Sequence, residues 1–439
     1  MKRFLIYLIL IANFIFAGWF WWHLNAAYFN TGSLGTTFIA LGRLTGILAT
    51  QLILLQFILI GRVRWVESVF GLDKLSRIHR LNGYLILALV ILHPLLITQG
   101  HSMLNSSSYL GQFVDFLLHW DDVLKAFLGL CVLLLTIGIS ITIVRRHLKY
   151  ESWYFVHLLN YTVLILIVQH QLMYGSFAAS TVFRYYWYLI YVFSVANFLY
   201  FRWIKSYMNF YKHDFTVTKV EPEGPATSIY IGGKNMENFK IKAGQFMRYA
   251  FQQPGYRLQA HPFSMSQAPD GKEIRLTAKA IGDFTRDMIP KVKVGTKVVI
   301  DGPYGVFTED KIQQDKLLFI AGGIGITPIY SILEDMGNRH PDKILLYSNK
   351  TRQETVFAGD LDALSKQHGF KLINILSDEE VVGYEHGRLD KDALARLVPD
   401  IAERDVFLCG PPPMMVALRQ AMIELGVPKS HIYWERFAL

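Results

Sequence analysis

Residues 75–97 read LSRIHRLNGYLILALVILHPLLI, and residues 153–173 read WYFVHLLNYTVLILIVQHQLM. Each is an apolar run of the length a bilayer crossing needs, about 20 residues. Each carries two histidines: His79 and His93 lie fourteen residues apart, His157 and His170 thirteen apart. Ionisable residues inside such runs are costly and mark function by default. Fourteen residues rise about 21 Å along an α-helix and return to within about 40° of the starting face. Each run thus offers one histidine at each of two depths. Two imidazoles above and below a plane are the axial set of a six-coordinate b-type haem. The metal-ligand candidates are therefore His79 with His157 and His93 with His170. The thirteen-residue spacing leaves an ideal helix about 140° off a common face, which rotation, tilt or local winding must absorb. The ordinary alternative is four core histidines bonded to Ser, Asn or backbone; two matched pairs at matched depths argue against it.

Working outward, six runs have spanning length: 4–23, 38–60, 78–98, 123–144, 153–173 and 185–204. The 439-residue chain is 52% hydrophobic and only 18% charged, against about a quarter charged in soluble proteins. Nearly all the long apolar runs precede residue 205. This excludes a disordered chain, a small disulfide scaffold and an ordinary cytosolic protein. Two cysteines, Cys131 and Cys409, lie far apart, which rules out Cys-based zinc or iron–sulfur spacing. The net charge of +9 is no nucleic-acid signal, because the basic residues gather at the ends of the apolar runs. Arg62, Arg64, Lys74, Arg77 and Arg80 follow the second run, Arg145, Arg146 and Lys149 the fourth, and Arg202, Lys205 and Lys212 the sixth. The opposite loops, 23–37, 99–122 and 174–184, have almost none. The positive-inside rule then puts both termini in the cytoplasm of a multi-pass cell-membrane protein. Arg43, near the outer end of the second run, needs an anion or must snorkel.

After about Lys212 the pattern changes. Segments such as FTVTKV and TSIYIGG alternate and are bounded by turns, which predicts a small antiparallel β-barrel over 209–311. From residue 316, strand-like runs alternate with helical ones, which predicts a doubly wound α/β domain over 312–439. The first strand-to-helix junction reads Ala321-Gly322-Gly323-Ile324-Gly325-Ile326-Thr327-Pro328. Its glycines admit a pyrophosphate to the backbone, and the helix N-terminus favours the charge; Pro328 suits a first helical turn. After the next strand, Ser348-Asn349-Lys350-Thr351-Arg352 has no acidic residue. Ser348 and Arg352 therefore suit a 2′-phosphate, and NADPH is expected over NADH. Cys409-Gly410-Pro411 ends a later strand, where a nicotinamide would lie.

Together these motifs resemble the NADPH oxidase and ferric reductase family of transmembrane flavocytochromes b, whose cytosolic half is similar to ferredoxin–NADP reductases. The resemblance covers the chain from the second span onward and implies a six-helix bundle (1–208) with two b haems, a FAD domain and a nicotinamide domain. It makes His79, His157, His93 and His170 the haem ligands. His261-Pro262-Phe263-Ser264 is similar to the family's flavin motif, with Phe263 and Ser264 on the isoalloxazine and His261 near the FAD phosphate and ribose. Gly282-Asp283-Phe284-Thr285 is similar to its pyrophosphate cradle, and Gly302-Pro303-Tyr304-Gly305 to a turn between the soluble domains. Glu435-Arg436-Phe437 is similar to its terminal acid-x-aromatic, which implies Phe437 stacked on the flavin. Ala438 and Leu439 follow Phe437, and Ile97 stands where many oxidases carry a further histidine. The implied activity is electron transfer from NADPH through FAD and the haems to an outer acceptor, O2 or a ferric chelate. Arg43, Ser264, Cys409, Glu435 and Phe437 are its catalytic candidates. A subunit reducing a protein partner is the alternative of another class, although neither an obligatory partner nor nucleic acid is expected.

Overall fold

The structure, a computed structural model, describes residues 2–141, 147, 150–174, 180–257 and 259–435. By compactness the chain divides into two units: residues 1–66 with 74–200, and residues 67–73 with 201–439.

The first unit is helical. Five of its described helices are long and apolar enough to cross a membrane: Lys2–Phe29, Leu34–Ile60, Leu72–Leu104, Val123–Ser140 and Ser152–Met173. The sixth expected span is present as the helix Thr181–Leu199, but it falls outside that set. Its Arg184 and the tyrosines at 185, 186, 188 and 191 lower its hydropathy. Large apolar side chains such as Phe4, Ile9 and Ile15 are more than half exposed on the first helix, as lipid-facing positions require. The second and third helices approach through glycines, the usual route to close packing in membranes. A Cβ on Gly35 would lie 3.0 Å from the Gly100 carbonyl oxygen, one on Gly42 2.8 Å from Ile97, and one on Gly46 2.8 Å from His93 Nδ1.

The helix carrying His157 and His170 breaks at Leu159, between Tyr150–Leu158 and Asn160–Met173. The amides of Leu159 and Thr162 bond to the carbonyls of Val156 and Leu159. This i→i+3 winding turns about 20° further per residue than an α-helix. It supplies part of the rotation that a thirteen-residue spacing needs.

In the second unit, six strands precede residue 305: β1 (Thr216–Glu223), β2 (Ala226–Gly232), β3 (Phe246–Phe251), β4 (His261–Ser264), β5 (Glu273–Lys279) and β6 (Val298–Tyr304). They pair antiparallel as two three-stranded sheets, β1-β2-β5 and β4-β3-β6. Among the described residues the sheets are linked by the bridges Thr216–Lys297 and Met265–Leu276 and by backbone bonds such as Val298 N–H to the Phe215 carbonyl and Ser266 N–H to the Arg275 carbonyl; the strands pair as two sheets rather than as one closed ladder. Their inner faces share a core that includes Phe215, Ile229, Tyr249 and Leu276.

The remaining strands, β7 (Lys316–Gly322), β8 (Asp342–Asn349), β9 (Lys371–Leu376), β10 (Glu385–His386), β11 (Asp405–Cys409) and β12 (Ile432–Trp434), form one parallel sheet in the order β10-β9-β8-β7-β11-β12. Both faces of β7 are buried, by Phe319 and Ala321 on one side and Leu318 and Ile320 on the other, which explains its unbroken apolar run. Strand order reverses between β7 and β11. That switch point is where an open α/β sheet binds its ligand.

Candidate redox site

The four histidines of the helical unit come together as two pairs. The rings of His79 and His157 have centroids 6.2 Å apart at 68°, and those of His93 and His170 are 6.3 Å apart at 69°. A metal midway would lie about 3.1 Å from each centroid, leaving about 2 Å to a nitrogen pointing at it, which is the length of a metal–imidazole bond. The pairs therefore fit bis-imidazole ligation. Nδ1 of His93 lies 2.8 Å from the Gly42 carbonyl oxygen, and Nδ1 of His157 is 3.1 Å from Ser140 Oγ, which also accepts from Trp153 Nε1. Such contacts fix a ligand's tautomer and leave Nε2 for the metal. Nδ1 of His79 and of His170 is buried without a hydrogen-bond partner. Among the described residues, no group of three or more His, Cys, Asp or Glu is placed to hold a metal.

Arg43 donates to Asn25 Oδ1 at 2.9 Å and lies over the Tyr28 ring at 4.8 Å. Ile97 packs against Gly42. Three further histidines lie in helices: His23 stacks on Trp19, His101 meets Phe116 and Trp120 edge-on, and His119 bonds Asp115 at 2.9 Å.

In the second unit, the His261–Ser264 motif is strand β4, in register with Phe246–Tyr249 of β3. The His261 ring lies on that of Phe284, with centroids 3.4 Å apart at 18°. This joins the two flavin motifs. Thr285 Oγ1 accepts from the amides of Ile281 and Gly282, fixing the turn into the short helix that Asp283 begins. Phe263 packs on the sheet core, and Ser264 is buried.

The glycine loop and the Cys409 turn touch. A Cβ on Gly325 would sit 2.5 Å from the Cys409 carbonyl oxygen, and one on Gly322 would meet Met414 and Pro411. Gly323 has φ +53°. Thr327 Oγ1 donates to the Ile324 carbonyl, and Pro328 lies buried in the first turn of helix Ile326–Met336. Gly410 backs onto Gly322. The Cys409 thiol is buried. Burial, and then the nearby Glu435 carboxylate, push its pKa far up, so it is a neutral S–H and no nucleophile. Glu435 is buried as well; burial first, then Glu67 and Asp73, raise its carboxyl well above the usual range. Phe437 lies outside the described residues, as do Arg145, Arg146 and Lys149.

Ser348, at the end of β8, pairs with Gly322 of β7. Arg352 is exposed, and its amide donates to Glu379 Oε2 at 2.7 Å. Residues 348–352 hold no acid; the fold brings Glu379 to Arg352 from the loop after β9. Glu379, Ser140, Gly42 and Gly46 all escaped the sequence reading, because their roles come from contacts made between segments.

Three family models match: a ferric reductase like transmembrane component over residues 45–168, a FAD-binding domain over 225–308 and an oxidoreductase NAD-binding domain over 319–420. The chain is 29% identical over 194 residues to flavohemoprotein A of Dictyostelium discoideum, covering 41% of this chain and 47% of that one. It is 31% identical over 176 residues to NADH-cytochrome b5 reductase 1 of Lodderomyces elongisporus, covering 38% and 58%. Among solved structures, the FAD/NAD-binding domain of nitric oxide dioxygenase from Vibrio cholerae aligns at 25% identity and TM-score 0.47, over 50% of this chain and 96% of that one. The chain spans about half the length of the curated relatives it matches.

The chain therefore joins a ferric-reductase-like transmembrane component to a flavin and nicotinamide reductase module. Its domain content is that of an oxidoreductase: a ferric-reductase-like transmembrane component with FAD- and NAD-binding reductase domains.

Proposed function

We propose that the protein moves electrons from cytosolic NADPH through FAD and two b-type haems to an acceptor on the outer membrane face, with O2 reduced to superoxide. The observation that carries this reading is the pair of histidine pairs, 6.2 and 6.3 Å between ring centroids, in a chain whose other half is a reductase module. Overall, NADPH and two O2 give NADP+, two superoxide ions and one proton.

His79 and His157 would hold one haem and His93 and His170 the other; a haem so ligated supplies one-electron chemistry with no open iron position. With both imidazoles in place, the acceptor would be reduced by outer-sphere transfer rather than as a metal ligand. Arg43 has no carboxylate within ion-pair distance among the described residues, so its charge is available to a propionate or to an anion that develops nearby. In the reductase module, His261 and Phe284 bind FAD with the Gly282–Thr285 turn. The Gly322–Pro328 loop takes the nicotinamide cofactor's pyrophosphate, Cys409–Pro411 lines the nicotinamide position, and Ser348 and Arg352 meet the 2′-phosphate.

A second reading, ferric-chelate reduction, draws on Ile97, whose packing against Gly42 leaves that position apolar. The test follows cytochrome c reduction by the purified protein with FAD and NADPH, with and without superoxide dismutase, in air and under argon. Loss of signal with dismutase and under argon is the expected result. A signal indifferent to both overturns the oxidase reading and makes ferric chelates and protein partners the substrates to assay.

A further inference from the structure

The chain leaves the sixth expected span, Thr181–Leu199, through a single π turn, Tyr200–Ile204, and runs on as the helix Lys205–His213. The 19 residues of that span rise about 28 Å, close to the hydrocarbon thickness of a bilayer. The helical stretch after Leu199 is therefore not needed for the crossing. Its two faces differ. Ser206 is buried and donates to Asp301 Oδ1 of β6 at 3.1 Å. His213 is buried too, with Nδ1 3.0 Å from the Lys234 carbonyl oxygen and its ring stacked on Phe215. These contacts tie one face to the two antiparallel sheets.

The other face is apolar and exposed. Ile204, Tyr207, Met208 and Tyr211 are 49, 55, 56 and 80% exposed. With Tyr200 and Trp203 they fall at i, i+3, i+4, i+7, i+8 and i+11, which is one stripe along a helix. Soluble surfaces rarely leave so long a contiguous apolar stripe in water. Three features identify its cover as lipid. The stripe continues directly from the sixth expected span, so lipid already lies at its start. Tyrosine and tryptophan are enriched at the membrane–water boundary. Arg202, Lys205 and Lys212 accompany them, and no Asp or Glu occurs from 152 to 213; cations without acids suit anionic headgroups.

We propose that residues 200–213 form an interfacial anchor whose stripe lies in the headgroup layer of an anionic bilayer, with its basic side chains toward the lipid phosphates. Because the opposite face is bonded to β6, the anchor holds the β4-β3-β6 sheet, and with it the His261–Ser264 motif, at the membrane surface. It does so whatever acceptor the protein reduces.

The experiment attaches a nitroxide to the full-length protein through M208C or Y211C, in a Cys131→Ser background because Cys131 is exposed and Cys409 buried. V382C, at a fully exposed residue of the loop after β9, is the aqueous control. The protein is reconstituted in phosphatidylcholine vesicles with and without phosphatidylglycerol. Collisions of the label with O2, which concentrates in lipid, are compared with collisions with a water-soluble nickel chelate. The O2-to-nickel ratio at positions 208 and 211 is expected several-fold above that at 382, to rise with phosphatidylglycerol, and to lose that rise in K205Q/K212Q. A ratio at 208 and 211 equal to that at 382 overturns the anchor, and so does a ratio indifferent to phosphatidylglycerol. Dipolar broadening between labels assigns the face to a second copy of the chain and overturns it too. The labelled side chains are exposed, and the comparison between the two lipids does not require K205Q/K212Q to fold.

Discussion

The His93 ring sits against Gly46 so closely that a single methyl group on that glycine would lie 2.8 Å from Nδ1, the atom already 2.8 Å from the Gly42 carbonyl oxygen. The second helix therefore orients a histidine, the proposed haem ligand His93, carried by the third. Metal ligands held this way lose roughly 10–100-fold in affinity when the supporting contact is lost. Gly46→Ala should cut haem from two to one per chain by pyridine haemochrome, and the remaining haem should be the His79–His157 one. Retention of both haems with an unshifted spectrum would falsify this orientation.

His79→Ala and His157→Ala each leave a single imidazole at their own level and both imidazoles, His93 and His170, at the other. Each should also retain one haem, stop transmembrane flow, and leave NADPH-to-dye transfer through the flavin within a few-fold of wild type. A dye assay run beside cytochrome c reduction on the same preparation checks the split; two haems in either variant would remove that ligand assignment.

The stack of His261 on Phe284 predicts a flavin defect rather than a folding defect. An aromatic pair is worth about 0.5–1.5 kcal/mol beyond its area, about 2- to 12-fold in binding. Phe284→Ala should weaken FAD binding within that range, read by flavin fluorescence on dilution, while Tm of the flavin-free protein moves little. An unchanged Kd would show that the stack is replaced when FAD binds.

Glu379 accepts from the backbone amide of Arg352, the residue proposed to meet the 2′-phosphate. Its charge opposes a 2′-phosphate that Arg352 would attract. Glu379→Gln should raise the NADPH to NADH ratio of kcat/KM several-fold, and Arg352→Ala should lower it about tenfold. Equal ratios in wild type and both variants would move the discrimination elsewhere.

Arg275 has a side chain only 8% exposed and bonds Glu223 at 2.7 Å, with Asp360 at 3.8 Å and the Phe357 ring at 4.5 Å. Removing one member of a buried pair strands the other, at about 3–5 kcal/mol. Arg275→Met should lower Tm by several degrees, by calorimetry of the FAD-loaded protein. A double variant with Glu223→Gln should recover part of the loss.

Periodicity and residue type were enough to find the apolar helices, the α/β alternation and the four histidines, because burial in lipid and pairing in a parallel sheet both leave long apolar runs. The thirteen-residue spacing also announced a departure from ideal winding; its place, Leu159, depended on backbone hydrogen bonds that no residue type in that run demands. The two antiparallel sheets were legible as strands, but their closure was not, since alternation fixes which face a residue takes and not which edges meet. Residues that act on distant segments were silent. Gly46 is an ordinary membrane-helix glycine until His93 is beside it, Glu379 an ordinary loop acid until the Arg352 amide reaches it, and Glu67 an ordinary loop acid until it accepts the Gly305 amide. Sequence determined which segments are apolar and which carry chemistry, because those are properties of the side chains themselves. Tertiary structure alone decided their partners, because proximity across hundreds of residues is set by packing.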